Sequence, residues 1–183
     1  MWPEFTKVQN ALAHYSESPS PNVRFSASEN LHLTIKFLGD ISETTIPHVL
    51  SALERISRDF HPPLIQVRGL NGFPNINRPR ALYAAISAGS QEIIELGNQL
   101  DEALFSIGIT KENRQRTPHI TIARLGKEPM REGLSSWLQR SNKKEVGRFV
   151  PKELVLYDST PNHKGSVYQI LHQYSFVSMG IPS

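Results

Sequence analysis

Apolar and polar residues alternate most regularly over residues 30–39, where Leu31, Leu33, Ile35 and Phe37 interleave with His32, Thr34 and Lys36. That period predicts a strand with His32, Thr34 and Lys36 together on the face opposite the apolar set. Residues 118–124 repeat the pattern: Ile120 and Ile122 oppose His119 and Thr121. A strand histidine alone is unremarkable. The same His-x-Thr constellation twice in one chain calls for a joint explanation.

Around these stretches the pattern predicts a mixture of helices and strands. Helical spacing marks residues 3–15, with Phe5, Val8, Ala11 and Leu12 on one side and Pro3 in the first turn. A Ser/Pro-rich loop over 16–22 follows, and 23–26 begin a strand or lead into the His32 strand. Ser42, Thr44 and Thr45 offer caps for a helix carrying Ile46, Val49, Leu50, Leu53 and Ile56, which ends by about Asp59 before His61-Pro62-Pro63. Residues 64–70 alternate as a strand, 71–74 turn, 75–80 form a loop, and 81–86 read as a buried strand. The best helical pattern is 90–107, through Ile93, Ile94, Leu96, Leu100, Leu104 and Ile107, with Gly108 as its stop. After the His119 strand come a helix over 129–139 with Trp137 packed inward, a strand over 148–157, a loop over 158–165 and a strand over 167–177.

This order is an approximate duplication, with half-repeats 1–80 and 81–183 in a single domain. The repeat exposes a gap. Strand 81–86 lies 33 to 38 positions before His119, whereas only 31 residues precede His32. The expectation is that the first half lacks its opening strand or that the chain begins at a late start site.

Composition narrows the chemistry. Hydrophobic content of 38% and charged content of 20% predict a globular protein rather than a disordered one. No apolar run is long enough to span a membrane, and the amino terminus lacks the features of a signal peptide, so a cytoplasmic monomer is expected. With no cysteine, thiolate catalysis and cysteine-ligated metals are excluded. The net charge of +3 favours a polyanionic partner only mildly. Short basic groups stand at Arg78-Pro79-Arg80, Arg114-Gln115-Arg116 and Lys143-Lys144, the second just ahead of the His119 strand.

Two imidazoles with ordinary pKa values of about 6.5 can divide acid and base work near neutral pH. One takes a proton from an attacking water and the other gives one to a departing oxygen, each role worth about 10²–10⁴-fold. The threonine hydroxyls, two residues on, suit non-bridging phosphate oxygens. Together the residue types fit a phosphodiester better than an amide.

The stretches Asn30-Leu31-His32-Leu33-Thr34-Ile35-Lys36-Phe37-Leu38-Gly39 and Pro118-His119-Ile120-Thr121-Ile122-Ala123-Arg124 resemble the paired signatures of the two-histidine phosphoesterases. More closely they resemble the RNA 2′,3′-cyclic phosphodiesterase branch, also called 2′-5′ RNA ligases. The resemblance implies an α+β fold, a two-lobed pseudo-symmetric duplication whose antiparallel sheets face a central cleft with helices outside. It implies opening of a 2′,3′-cyclic phosphate on RNA or an oligonucleotide to a 2′-phosphate, without metal or other cofactor. By the same resemblance His32 is the general acid, His119 the general base, and Thr34 and Thr121 hold the phosphate. The residues themselves leave open which histidine is which. The chain departs from the family in the missing opening strand.

Lys36 shares the face of His32 and either meets phosphate or faces solvent. Arg124 matches the family motif, yet strict alternation turns it away from His119; it reaches that face only if the strand bulges or ends there. Tyr83 and Phe37 could stack on a base, with core packing the better reading. His14, His48, His61, His163 and His172 belong to no repeated pattern, although the His163-Lys164-Gly165 loop could edge the cleft. No metal motif, P-loop, dinucleotide fingerprint or nucleophile elbow occurs. Two alternatives accompany the phosphodiesterase reading: an RNA-end binding module without turnover, and an enzyme for a small substrate such as an ADP-ribose cyclic phosphate.

Overall fold

Hydrogen-bonded strands need partners, and the partners here are drawn from distant parts of the chain. The computed structural model describes residues 3–14, 23–126, 133–162 and 165–177. It divides into two units, each assembled from three alternating segments. One takes residues 1–33, 66–88 and 118–148; the other takes 34–65, 89–117 and 149–183. The half-repeats at 1–80 and 81–183 are therefore not the compact units, because each unit combines pieces of both.

The first unit is built on a five-stranded sheet in the order β1-β4-β3-β2-β5. Its strands are β1 (Val23–Phe25), β2 (Ile65–Phe73), β3 (Ala81–Ala88), β4 (His119–Leu125) and β5 (Glu145–Phe149). The β1–β4, β3–β4 and β2–β3 pairs are antiparallel. One face carries Leu70, Leu82, Ala84, Ile120, Ala123 and Leu125, all buried. Helix α1 (Pro3–Ala13) packs along β4 and buries Phe5, Val8 and Leu12, the helical spacing expected of them. Gln9 Nε2 donates to the Ser26 carbonyl at 2.7 Å, tying the helix to the chain leaving β1. A short helix α4 (Leu134–Arg140) buries Leu134 and Leu138 in the same unit, while Trp137 is half-buried.

The second unit pairs helices α2 (Ile46–Asp59) and α3 (Ser90–Phe105) with the antiparallel hairpin of β6 (Glu153–Asn162) and β7 (Gly165–Ser175). Helix α2 turns Val49, Leu53 and Ile56 inward, and the Tyr174 hydroxyl from β7 donates to the Leu50 carbonyl. Past the end of α3 the Ile109 N–H returns to the Leu104 carbonyl and the Gly108 N–H to that of Phe105. Gly108 sits at φ +90, so the predicted stop is a left-handed C-cap. No helix among the described residues is long and apolar enough to cross a membrane.

The fold is thus α+β with antiparallel sheets, as predicted, but several boundaries move. The stretch 31–37 is not a strand: only Leu33 forms a bridge, to Ile120, and Phe37 is 76% exposed. Core packing of Phe37 is thereby overturned. Among the described residues no strand pairs with 34–38, and alternation without a partner ladder does not make a strand. The turn expected at 71–74 begins only after Phe73, because 71–73 continue β2 against Tyr83, Leu82 and Ala81. The strand expected over 148–157 is two, β5 and β6, separated at Pro151, which has no N–H for a ladder. The loop expected over 158–165 is largely the continuing hairpin. The loop at 16–22 and the start of the helix expected from 129 lie outside the described residues.

Gly69 shows where the sheet cannot accept a side chain. It sits at φ +92, donates its N–H to the Lys144 carbonyl, and a Cβ there would collide with the Asn142 backbone oxygen. Gly69→Ala is expected to cost roughly 3 kcal/mol through backbone strain and overlap together. Urea unfolding checks this, and an unchanged midpoint would refute the strain.

Candidate active site

The second motif is the better anchored. His119 opens β4, and strand geometry turns its side chain and that of Thr121 to one face, level with Ala85 and Tyr83 of β3. On that face Phe73 and Tyr83 stack with ring centroids 4.3 Å apart. The His119 ring meets both edge-on, at 5.0 Å from Phe73 and 5.1 Å from Tyr83. Three aromatic planes in mutual contact restrict the imidazole to one orientation. Tyr83 is 7% exposed, so core packing is the better reading of it, and burial pushes its phenol above the ordinary range.

A bulge then changes which residues follow. Leu82 pairs with Ala123 and Tyr83 with Thr121, so one step on β3 spans two residues on β4. The extra residue, Ile122, reverses the alternation. Arg124, opposite Ala81, therefore stands on the face of His119 and Thr121. The condition set by the sequence is met. Arg124 is exposed.

The first motif meets the same sheet at an isolated bridge. Leu33 bridges Ile120 in antiparallel register, which sets His32 level with Thr121. The His32 Nδ1 lies 2.7 Å from the Asn30 carbonyl oxygen, which can only accept, so Nδ1 carries a proton. That carbonyl belongs to a single 3-10 turn, Ser28–Asn30. The first unit thus brings together His32, His119, Thr121 and Arg124. Thr34 and Lys36 belong to the second unit, and Thr34 is half-buried.

Lys36 has another task. Its side chain is 4% exposed, and its ammonium donates to Asp101 at 2.5 Å and to the Thr110 carbonyl at 2.7 Å. The phosphate contact considered for Lys36 gives way to this internal pair. Arg116, from the basic group ahead of His119, is likewise engaged inside: it pairs with Asp101 and donates to the carbonyls of Ile35 and Gly97. Burial pushes the Asp101 carboxyl up, but hydrogen bonds from Lys36, Arg116 and the Glu112 N–H, with the Arg116 charge, hold it below the ordinary carboxylate range. Asp101, Phe73, Asn30 and the bulge at Ile122 were not singled out by the sequence, since none lies in a repeated motif. Only the polar Asp101 on the inward side of a strong helical pattern could have been noticed.

His14, His48, His61 and His172 are exposed, as expected of histidines outside the pattern, and His163 lies outside the described residues. Among the described residues no three His, Asp or Glu side chains are grouped to hold a metal ion.

Comparison with known proteins accords with this geometry. The family described as LigT like phosphoesterase matches the chain twice, over residues 3–83 and 86–168, so the duplication read from element order is a duplication of that family's unit. The RNA 2′,3′-cyclic phosphodiesterase of Aquifex aeolicus is 31% identical over 147 residues, covering 80% of this chain and 78% of the relative. That of Aeropyrum pernix is 28% identical, covering 95% and 96%. Among solved structures, a Thermus thermophilus protein superposes with a TM-score of 0.76 at 24% identity, covering 97% of this chain and 94% of that one. LigT of E. coli complexed with 3′-AMP gives 0.71 at 20% identity, with the same coverage, a likeness of fold.

Replacing Asp101 by Asn removes the charge that compensates two buried cations, and a loss of about 3 kcal/mol is expected at neutral pH. Because the folded carboxyl is held low, its stabilisation is complete above the unfolded value of about 3.9 and is lost as pH falls through the folded one. The stability gap between wild type and variant should therefore narrow below about pH 4. Unfolding curves at pH 7 and pH 3 measure it; a gap that widens in acid would refute the assignment.

Proposed function

Because this chain belongs to the LigT-like phosphoesterase family, we propose that it opens 2′,3′-cyclic phosphate ends of RNA or oligonucleotides, leaving a 2′-phosphomonoester. The observation that carries the reading is the bridge from Leu33, next to His32, to Ile120, next to His119. The activity borne by the names of the Aquifex and Aeropyrum relatives supports the substrate class.

In this reading a water attacks phosphorus opposite O3′. His119 takes the water's proton, the P–O3′ bond breaks with its electron pair going to O3′, and His32 delivers a proton there. The phosphate stays on O2′. The assignment of acid and base follows the family resemblance. The Nδ1 bond to Asn30 supports His32 in an exchange role, because it sets the tautomer in which Nε2 is the nitrogen that gains and loses a proton. The aromatic contacts of His119 support a base whose orientation is set before substrate arrives. The Thr121 hydroxyl, with the Arg124 guanidinium, suits the non-bridging oxygens as charge builds on them, and the family resemblance gives Thr34 the same role.

Wild-type protein in EDTA should convert a 2′,3′-cyclic-ended oligonucleotide to the 2′-phosphate, identified by phosphorus NMR. His32→Ala and His119→Ala should each lower kcat by about 10²–10⁴-fold with folding intact. A 3′-phosphate product would overturn the assignment of the leaving oxygen. Absence of turnover by wild type, with the oligonucleotide still bound, would instead favour an end-binding module.

A further inference from the structure

Two arginines stand directly across from each other on β1 and β4. Arg24 pairs with Arg124 in the antiparallel register, so both side chains leave the same face of the sheet. The bulge at Ile122 has already placed Arg124 on the face of Thr121 and His119, and Arg24 is therefore there as well. Both are exposed, and among the described residues neither finds an ion pair or a side-chain hydrogen bond. Two other exposed cations of this unit are engaged, Arg148 with Glu145 and Arg68 with the Lys143 carbonyl, whereas Arg78, Arg80 and Arg140 stand in solvent without a like charge directly opposite.

Like charges directly opposite across a strand pair destabilise the sheet. The arrangement is tolerable when an anion lies between them. Arg124 ends the row that begins at His119 and Thr121, and Arg24 lies one strand further out, on the edge strand β1, where an RNA chain continuing from its terminal phosphate would reach it. We propose that Arg24, beside Arg124, binds the phosphodiester adjacent to the cyclic end and so makes the protein prefer oligonucleotides to mononucleotides. The proposal rests on the phosphodiesterase reading above for its substrate, but it predicts binding that is measurable without turnover. The ligand chemistry is a backbone phosphate, so no preference for base sequence is implied. Arg24 acts here on affinity and selectivity rather than on the chemical step.

The test uses a 5′-fluorescent oligonucleotide already ending in 2′-phosphate, titrated with full-length protein at several KCl concentrations. Arg24→Gln should weaken binding by about tenfold at low salt, as for one charge-assisted contact. It should also lower the slope of log K against log [KCl] by about 0.7. In turnover, kcat/KM for the cyclic-ended oligonucleotide should fall about tenfold relative to that for a nucleoside 2′,3′-cyclic phosphate, mainly through KM. Arg24→Lys, which keeps the charge, should recover the salt slope and part of the affinity. Unchanged affinity and slope in Arg24→Gln would overturn the proposal, as would equal loss on both substrates. If wild type opens neither cyclic phosphate, the phosphodiesterase reading falls while the titration still decides the role of Arg24.

Discussion

One buried carboxylate holds a stretch of chain that no sheet holds. Residues 34–38 have no strand ladder among the described residues, yet they carry backbone groups that must be satisfied. Asp101, on the inner side of α3, accepts from Lys36 and from Arg116, and Arg116 extends the same network to the Ile35 carbonyl. Gly97, one turn earlier on that helix, leaves room for the guanidinium, since a Cβ there would lie 2.7 Å from Arg116 Nε. A charged knot is a demanding fastener: each ion gives up its hydration, and the pairing offsets that loss only when the geometry is well satisfied. Its advantage over apolar packing is directional. A Leu-for-Lys exchange could bury as much surface, but it would not fix the Ile35 peptide to helix α3.

The first unit solves the opposite problem, a surplus of ladder. A perfectly alternating β4 would send Arg124 to the apolar face, among Leu82, Ala84, Ile120 and Ile122, where an unpaired guanidinium is costly. The extra residue at Ile122 lets two apolar residues in succession, Ile122 and Ala123, be buried and returns Arg124 to the open face. The bulge lengthens the polar row, so that it runs His119, Thr121, Arg124 rather than stopping after the threonine. Apolar burial on one side of the strand thereby arranges polar chemistry on the other.

Most of this was legible where the pattern is local. Helices α2 and α3, strand β3, the Gly108 stop and the paired His-x-Thr stretches follow from periodicity and turn chemistry within a few residues. What stayed hidden depends on partners far along the chain. Residues 31–37 have the alternation of a strand and lack the neighbour that would make them one. Lys36 and Arg116 look like surface cations until Asp101 is placed between them. The facing of Arg124 was undecidable from β4 alone, because a bulge is a property of two strands. Arg24 carried no local signal either, since its meaning comes wholly from the residue opposite.

The duplication also leaves its two histidines unequally supported, and that inequality follows from local packing. His119 begins a central strand and its ring is wedged against two aromatic planes. His32 lies on irregular backbone, beside the bridge at Leu33, with its Nδ1 against the carbonyl of a 3-10 turn. On the proposed assignment the base must already be aligned to take the proton of the attacking water, whereas the acid would serve an oxygen that moves away as its bond lengthens, so tolerance of motion would cost it less. Aromatic packing around one imidazole and a backbone carbonyl beside the other give equal side chains unequal settings. The repeat supplied two copies of one motif, and the surrounding elements made them different.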